Sequence, residues 1–281
     1  MKDNKKFPYI YTSSQLGKYF GITIKGIEYY EKNQLISPER VGNNKQRRFD
    51  LANTYRIFMA RYLRQSGFDL NNTLDVLNST NKDSVIEYYN NLLENLKQKQ
   101  IRLNSVIKIL ENNCGLLEKI NNKSFFEIVD SPVFKRLFLR EMDGPHKSNK
   151  EQTEEYRNWN ELMPITNASI KYAKKDVLKK TSKIEPDIGM IITEDNFKKF
   201  NLKDSPRVTT IKSKKCLHTV VVGNAQRIES KEWLDSIRKY LHDNYLQLNG
   251  DIITSLLLVL DNKKVQIRYD EAWIPITDKQ K

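Results

Sequence analysis

The sequence predicts a helical head of the winged helix-turn-helix type, a long dimerisation helix that forms an antiparallel coiled coil, and a distal α+β domain. Three observations lead to this fold class: two short amphipathic stretches around Gly21, a heptad pattern from Ile86 to Leu117, and strand-like alternation after residue 124. The predicted boundaries are residues 1–80, 81–120 and 121–281. Two folded domains joined by one helix are therefore expected.

The head begins with two short helices. Leu16, Tyr19 and Phe20 recur at helical spacing, and Gly21 ends this first stretch. Thr23 has the character of an N-cap for a second helix that runs to about residue 32, with Ile24, Ile27 and Tyr30 on its inner side. Two short helices around a glycine turn are typical of a helix-turn-helix.

A hairpin and two further helices complete the predicted head. Gly42, Asn43 and Asn44 stand between extended flanks, which indicates the hairpin of a wing. Asp50 can cap a third helix that ends at Gly67, and a short fourth helix follows. The predicted apolar stripe of the third helix comprises Leu51, Tyr55, Phe58, Met59 and Tyr62.

The connector has the clearest periodicity in the chain. Its apolar positions step alternately by three and four residues, and neither Pro nor Gly interrupts residues 83–114. The alternative to self-association is that this helix packs back on its own domain, but such a long helix would overrun the small helices of the head. A homodimer is therefore expected. The stripe is Ile86, Tyr89, Leu93, Leu96, Gln100, Leu103, Ile107, Leu110, Cys114 and Leu117.

The distal region reads as a mixture of strands and helices. We predict helices over 151–163 and 230–247. Predicted strands cover 125–129, 133–140, 189–193, 207–212, 217–222, 252–260, 264–269 and 271–276. This order is typical of an α+β domain.

Composition excludes several classes of protein. The 281 residues carry 48 Lys plus Arg against 35 Asp plus Glu, a formal charge of +13, and the first 70 residues hold 13 of the basic and 6 of the acidic residues. Such a basic head suggests a polyanionic partner. No apolar run is long enough to span a bilayer and no signal segment is visible, so a cytoplasmic protein is expected. Only Cys114, Cys216, His146, His218 and His242 could supply soft ligands, so neither a metal site nor a cofactor is expected.

The head resembles the DNA-binding domain of the MerR family of transcription regulators. The matching stretches are SSQLGKYFGITIKGIEYYEKNQLISPER, NKQRRFD and IFMARYLRQSGFDLNNTLDVL, followed by the long helix at the expected place. By this resemblance, DNA contacts fall to Tyr29, Tyr30, Arg47 and Arg64. Lys25, Lys45 and Arg48 would extend the same positive surface. For Tyr30, core packing is the alternative, because it also lies on the apolar face.

Two departures from the family pattern stand in this head. Glu28 occupies the position before the tyrosine pair where the family usually has Arg, and Lys45-Gln46-Arg47 replaces the usual Gly-Tyr-Arg. A carboxylate repels phosphate but can accept a hydrogen bond from cytosine in the major groove. We therefore hypothesise that Glu28 alters operator preference.

The end of the chain resembles that of GyrI-like effector domains, in which a Tyr-Glu-x-x-x-Pro strand places a glutamate in an aromatic pocket. Glu271 lies four residues before Pro275, although Asp270 replaces the usual Tyr. Such a glutamate would attract a lipophilic cation. The candidate aromatic walls, each of which could instead be ordinary core, are Trp273, Tyr269, Tyr156, Trp159, Phe134 and Tyr245.

These resemblances imply a homodimeric activator that binds pseudo-palindromic, double-stranded promoter DNA. An aromatic, cationic effector such as a drug would make the dimer bend and untwist the promoter so that RNA polymerase can use it. One alternative is a repressor or DNA binder without a small-molecule ligand. A remote alternative is a GyrI-like hydrolase in which Glu271, beside tyrosines, acts as general base.

Overall fold

The computed structural model describes residues 11–120, 125–140, 150–225, 228–262 and 265–279. The chain divides into two compact units, residues 1–102 and 103–281, so the division falls within the long helix. His146 lies outside the described residues. Within the described parts, no helix is both long enough and apolar enough to cross a membrane.

The described residues of the first unit form five helices and a hairpin. The helices are α1 (Ser13–Phe20), α2 (Ile24–Lys32), α3 (Leu51–Ser66), α4 (Leu70–Asn78) and the first part of α5 (Lys82–Lys119). Strands β1 (Glu39–Val41) and β2 (Gln46–Arg48) form an antiparallel hairpin, the β1–β2 hairpin, in which Arg40 pairs with Arg47. This hairpin occupies the place at which the sequence predicts a wing.

Side-chain caps begin the helices of the head where the sequence indicates them. Thr12 and Gln15 form a reciprocal capping box at α1, and Thr23 Oγ1 accepts from the Gly26 N–H at 3.1 Å. Asp50 caps α3 by accepting from the Asn53 N–H at 2.8 Å. Gly21 and Gly67 end α1 and α3 with positive φ, a conformation that costs glycine little.

Leu16, Ile27, Ile36, Phe49 and Ile57 form the buried core of the head. Their burial fixes the orientation of α2 against α1, α3 and the hairpin, with the remaining face of α2 towards solvent. The core therefore positions the predicted DNA-contacting helix by apolar packing.

The predicted inner faces of the head helices need correction. On α3 the buried positions are Asn53, Ile57, Ala60 and Leu63. Several larger apolar residues that the sequence pattern assigned to inner faces lie at the surface, because small or branched side chains fill the space against α1 and α4. These exposed residues are Tyr19, Ile24, Tyr55, Phe58 and Tyr62.

Helix α5 exposes most of its heptad stripe. Leu103 is 59% exposed and Leu110 52%, and Ile86, Leu93, Leu96, Ile107 and Cys114 are also exposed. Tyr89 is an exception, since its ring packs edge-on against Phe68 with centroids 5.4 Å apart. The stripe therefore does not pack back on its own domain, and Cys114 is a surface residue in the single chain.

In its described segments, the second unit is built on a nine-stranded sheet. Its path follows the order β3-β8-β11-β10-β5-β6-β4-β7, and β9 pairs with β11 at one end. The strands are β3 (Glu127–Asp130), β4 (Phe134–Arg140), β5 (Asn167–Tyr172), β6 (Asp187–Thr193), β7 (Val208–Ile211), β8 (Lys215–Asn224), β9 (Leu246–Leu248), β10 (Ile252–Asn262) and β11 (Val265–Asp278). Helices α6 (Lys150–Glu161), α7 (Lys174–Leu178), α8 (Glu194–Lys199) and α9 (Leu234–Asp243) accompany them.

The sheet curls so that its two halves face one another. Strands β4 and β11 are four steps apart in the sheet, which is roughly 19 Å at about 4.8 Å per step if the sheet were flat. Nevertheless, the ring centroids of Phe134 on β4 and Trp273 on β11 lie only 4.8 Å apart. The concave side of this curl holds a small core that also includes Ile191, Cys216 and Ile253.

Several distal elements differ from the sequence prediction. Helix α9 covers only Leu234–Asp243, because Tyr245 takes a positive φ of 54° and Leu246 begins strand β9. The two predicted C-terminal strands are one continuous strand, β11. The sequence pattern also missed β5, β9, α7 and α8, which are short or polar.

Candidate DNA-binding face and ligand cavity

Helix α2 presents Lys25, Glu28 and Tyr29 to solvent, opposite the buried Ile27. Tyr29 is 49% exposed, which leaves its hydroxyl available to a phosphate. Tyr30 instead packs against the core of the head, with its ring centroid 6.3 Å from that of Tyr29. The two tyrosines thus differ, and Tyr29 is the better placed for DNA.

Arg47 of the β1–β2 hairpin is held by the acidic residues of α2. Its Nη1 donates to Glu28 Oε1 at 2.9 Å, and its Nε lies 2.8 Å from Glu31 Oε2 in an ion pair without hydrogen-bond alignment. Arg40 reaches Glu31 Oε1 at 2.7 Å from the other strand. In the free protein, therefore, Glu28 contacts Arg47, the residue that the resemblance assigns to DNA.

Two further basic residues of the hairpin lie at its surface. Lys45 has a left-handed φ of 48° at the turn and is exposed, while Arg48 contacts Gln46 Oε1 only at 3.5 Å. Lys25 on α2 is exposed as well, as is Tyr29 of the same helix. Exposed basic groups of this kind suit the phosphates of a nucleic acid.

The arginines of α3 also bind carbonyl groups of the head. Arg64 Nη1 donates to the Phe68 carbonyl at 2.8 Å, next to the glycine that ends the helix. Arg56 Nε donates to the Leu35 carbonyl at 2.7 Å, and Arg61 donates to the Phe20 carbonyl. The sequence pattern gave no sign of these structural roles, because each partner is a main-chain atom of another element.

A cavity of about 820 Å³ lies in the second unit, on the concave side of the sheet. Glu271, Trp273 and Phe134, which the sequence singled out, all line it. Its charged lining residues are Lys108, Lys199, Glu194, Asp195 and Glu271. It has the size and the mixed apolar and polar wall of a small-molecule site.

Glu271 is buried, only 8% exposed, and its carboxylate pairs with His218. The Oε1 atom lies 2.8 Å from His218 Nε2, and the imidazole ring stacks on Trp273 with centroids 5.6 Å apart. His218 stands directly opposite Trp273 in the β8–β11 register. The sequence did not indicate this partner, because the pairing joins residues 53 positions apart.

Further charges connect His218 to the end of α5. His218 Nδ1 lies 4.0 Å from Glu127 Oε2, and Glu127 Oε1 accepts from Lys119 Nζ at 2.8 Å. Lys119 belongs to the last turn of α5. A chain of charged groups therefore runs from Glu271 on the cavity wall to the end of the long helix.

Four predicted wall residues lie elsewhere, which corrects the sequence-based assignment. Trp159 is buried in a separate core against Leu137, Tyr156 donates from its hydroxyl to the Leu139 carbonyl, and Tyr245 is 79% exposed. Tyr269 lies on β11 beyond Glu271 but does not line this cavity. Among the described residues that line the cavity, none is a tyrosine.

Asp270 occupies the motif position where a tyrosine is usual, and it is buried. Burial raises the pKa of its carboxyl, while Arg268 opposes the shift through two hydrogen bonds, of 2.6 and 2.8 Å. Burial also raises the pKa of the neighbouring Tyr172, and Asp270 adds to that shift. Asp270 therefore belongs to a charged pair inside the domain and not to the cavity lining.

Comparison with known proteins gives one family match. Residues 11–79 match the model of the MerR HTH family regulatory proteins. No curated protein matches the chain significantly.

Several solved structures are similar at low identity. The EcmrR–DNA complex in EcmrR-RPo covers 96% of this chain and 100% of its own at 14% identity, with a TM-score of 0.35. The N-terminal part of MtaN, the Bacillus subtilis multidrug transporter activator, covers 37% of this chain and 98% of its own at 20% identity and a TM-score of 0.34. A hydrolase from Listeria innocua covers 57% of this chain and 95% of its own at 10% identity, also with a TM-score of 0.34.

Such TM-scores support no conclusion about the distal unit. The match to the family model covers the helical head and its β1–β2 hairpin. Residues 11–79 therefore form a helix-turn-helix domain that is similar to those of the MerR family of regulatory proteins.

Proposed function

We propose that the protein is a ligand-responsive, homodimeric activator whose distal unit binds a small aromatic cation in the cavity at Glu271. The observation that carries this proposal is the buried Glu271 carboxylate on the wall of an 820 Å³ cavity beside the rings of Trp273 and Phe134. A carboxylate among aromatic faces attracts delocalised positive charge by Coulomb and cation–π forces.

The charges around the cavity support a cationic ligand. Glu271, Glu194 and Asp195 face the cavity together with Lys108 and Lys199. Of these, Lys199 donates to Ser105 at 2.9 Å, and Glu194 pairs with a lysine of its own helix. The formal balance is one negative charge, and Glu271 is its most buried contributor, so a cation gains most by approaching Glu271.

The exposed stripe of α5 supports the homodimer. Isolated leucines at a surface are ordinary, but a row at heptad spacing along one helix is the pattern that another helix covers. An antiparallel pairing of two copies of α5 would bury the stripe. Each protomer would then offer one head to half of a pseudo-palindromic promoter.

Effector binding must favour one of two dimer states if it is to change transcription. In the proposed mechanism the ligand-bound dimer bends and untwists the promoter for RNA polymerase. The DNA deformation costs on the order of 1–6 kcal/mol, offset by phosphate contacts of both heads. Lys25, Tyr29, Lys45 and Arg47 would supply these contacts.

A thermal-shift screen tests the cation site. Lipophilic cations, neutral aromatics and metal ions are compared on the wild type, on Glu271→Gln and on the control Glu185→Gln, which removes an exposed charge away from the cavity. We expect cations alone to raise the melting temperature of the wild type and the control, and to lose this effect in Glu271→Gln.

Equal stabilisation of wild type and Glu271→Gln by cations would refute the site. If no compound of any class shifts the melting temperature, a repressor or DNA binder without a small-molecule ligand becomes the better description.

A further inference from the structure

We propose that the cavity at Glu271 continues past Trp273 and Phe134 into an anion subsite, so that the ligand is an elongated aromatic zwitterion. This inference rests on the proposed function, because it adds a second charged group to the cation assigned to Glu271. The anionic group would be a carboxylate, sulfonate or phosphate at Lys212 and Lys214.

The two cavities are neighbours on the concave face of the sheet. The second cavity has a volume of about 330 Å³, and Trp273 and Phe134 line both. Along β11, Glu271 lines the first cavity, Trp273 lines both, and Pro275 lines the second. Residues two apart on a strand share a face, so Glu271, Trp273 and Pro275 form one row of side chains that leads from the first cavity to the second.

Strand β10 repeats this succession in the opposite direction. Ser255 pairs with Glu271 and lines the first cavity, while Ile253 pairs with Trp273 and lines the second. Asp251 follows in the second cavity. Two adjacent strands thus describe one trough with an aromatic middle.

The charges of the second cavity have the opposite sign to those of the first. Lys171, Lys212 and Lys214 line it, against Asp251 as the one carboxylate among its described lining residues. Lys171 is paired with Asp187 at 2.8 Å. Lys212 and Lys214, in contrast, make no side-chain ion pair with any described residue.

Other groups in the second cavity favour an anion over a cation. Asp251 Oδ1 already accepts from the Lys174 N–H at 2.8 Å, which partly satisfies its charge. Ser131 and Thr210 add hydroxyl groups that can donate to an oxyanion. Two unpaired ammonium groups with hydroxyls nearby form a donor set for a carboxylate, sulfonate or phosphate.

The spacing of the trough sets the form of the ligand. Four residues of strand separate Glu271 from Pro275, which corresponds to about 13 Å. The buried rings of Trp273 and Phe134, which contact each other and line both cavities, lie between the two charged regions, where they would contact the ligand body. A flat, elongated molecule with a cation towards one end and an anion towards the other therefore fits this arrangement.

Two dyes that differ only in the anion test the subsite. The cationic probe is an N-methyl-4-styrylpyridinium dye, and the zwitterionic probe carries a carboxylate at the para position of its phenyl ring, at the end of the molecule opposite the pyridinium. Affinities for the full-length protein are measured by dye fluorescence. The variants are Lys212→Gln with Lys214→Gln, Glu271→Gln, and the control Lys203→Gln with Lys239→Gln, whose exposed lysines line neither cavity.

We expect the wild type and the control to bind the zwitterionic dye about tenfold more tightly than the cationic dye, as one charge-assisted contact would give. The Lys212/Lys214 variant should bind both dyes equally, with its affinity for the cationic dye unchanged. Glu271→Gln should weaken both dyes while keeping their ratio.

An unchanged ratio in the Lys212/Lys214 variant, or no preference in the wild type, overturns the anion subsite. A failure of the cation site gives a different result. Glu271→Gln would then bind both dyes as tightly as the wild type does, while the ratio of the two dye affinities in the Lys212/Lys214 variant would still test the anion subsite. Thermal melting of each variant verifies that the fold is intact.

Discussion

At the scale of single residues, charged side chains of the head contact one another at the predicted DNA-binding face. Glu28 and Glu31 hold Arg47 between α2 and the β1–β2 hairpin. DNA phosphates must therefore compete with these carboxylates for the guanidinium group. If this face binds DNA as proposed, Glu28 in place of the usual Arg would weaken the attraction of the head for phosphate, while its contact with Arg47 holds the hairpin against α2.

Replacing Glu28 by Gln should raise affinity for promoter DNA. It removes a negative charge near the phosphates and frees Arg47, and an exposed charge contact of this kind is worth about 0.2–1 kcal/mol, or up to about fivefold in affinity. The measurement is a fluorescence-anisotropy titration with labelled DNA, with Glu87→Gln on α5 as the charge-matched control. Equal or weaker binding by Glu28→Gln would contradict the competition.

A second variant, Glu28→Arg, tests the operator preference. The sequences that it binds from a DNA library are compared with those that the wild type binds, and an unchanged preference would contradict the hypothesis about Glu28.

Asp270 gives the distal unit a pH-dependent stability. Burial raises the pKa of this carboxyl above its ordinary value of 3.8, so the folded state binds its proton more tightly than the unfolded chain does. The contribution of Asp270 to stability is thus complete below pH 3.8 and is lost as pH rises through the raised pKa. Relative to Asp270→Asn, the free energy of unfolding of the wild type should fall over that window. Urea titrations from pH 3.5 to about 6 measure it, and a parallel pH dependence of the two proteins would contradict the assignment.

At the scale of elements, one face of the long helix α5 packs against its own chain and another face is exposed. Val106 and Ile109 pack on the core of the distal unit, and Ser105 accepts from Lys199. The heptad stripe on another face stays exposed. A helix whose two faces are both apolar can thus belong to its own chain and to a dimer.

Disrupting the stripe should separate the dimer without unfolding the protomer. Leu103 and Leu110 are exposed in the single chain, so changing both to Gln costs the protomer little, whereas a dimer loses two buried leucines from each helix. Light scattering after size exclusion should show a dimer for the wild type and for Lys97→Gln with Lys99→Gln, and a monomer for the leucine variant. A leucine variant that remains dimeric would show that another surface joins the protomers.

The elements differ in how far the sequence alone predicts them. Caps such as Thr23 and the heptads of α5 are local signals, and the structure contains the corresponding helices. Strand β5, Asn167–Tyr172, was missed because its polar residues mask the alternation. The faces of α3 were misassigned since aromatic residues were counted as core, whereas Asn53 and Ala60 are the buried positions.

The candidate cavity was predictable only in part. Alternation along β11 placed Glu271 and Trp273 together, and both line the cavity. His218 and Lys199 were not indicated, because strand order and the curl of the sheet decide which distant residues meet. Tyr269 and Tyr245 were included for their aromatic character, although their positions keep them out of the cavity lining.

At the scale of the whole molecule, the residues behind the charge of +13 are distributed differently in the head and in the distal unit. In the head they form an exposed positive surface on α2 and the hairpin. In the distal unit, basic and acidic residues sort into cavities of opposite sign. Net charge alone therefore points to the proposed nucleic-acid partner of the head and gives no information about the proposed small molecule.

Salt should separate these two kinds of binding. If Lys25, Lys45, Arg47, Arg48 and Arg64 contact phosphate in both protomers, ten contacts give a slope of about −9 in a plot of log affinity against log salt concentration. Changing Lys25 and Lys45 to Gln should make the slope shallower by about 3–4. Filter binding from low to moderate salt measures this effect, and an unaltered slope in the double variant would remove these lysines from the interface.

The contact between Glu271 and His218 connects the cavity to the end of the long helix. A cation beside Glu271 would compete with His218 for the Glu271 carboxylate, and the imidazole ring also lies 4.0 Å from Glu127. Glu127 in turn accepts a hydrogen bond from Lys119 in the last turn of α5. We therefore expect ligand binding to change the amide hydrogen exchange of the last turn of α5 in the wild type and not in His218→Gln. Occupation of the cavity would then be transmitted to the helix that joins the two units, through side chains and without movement of the sheet.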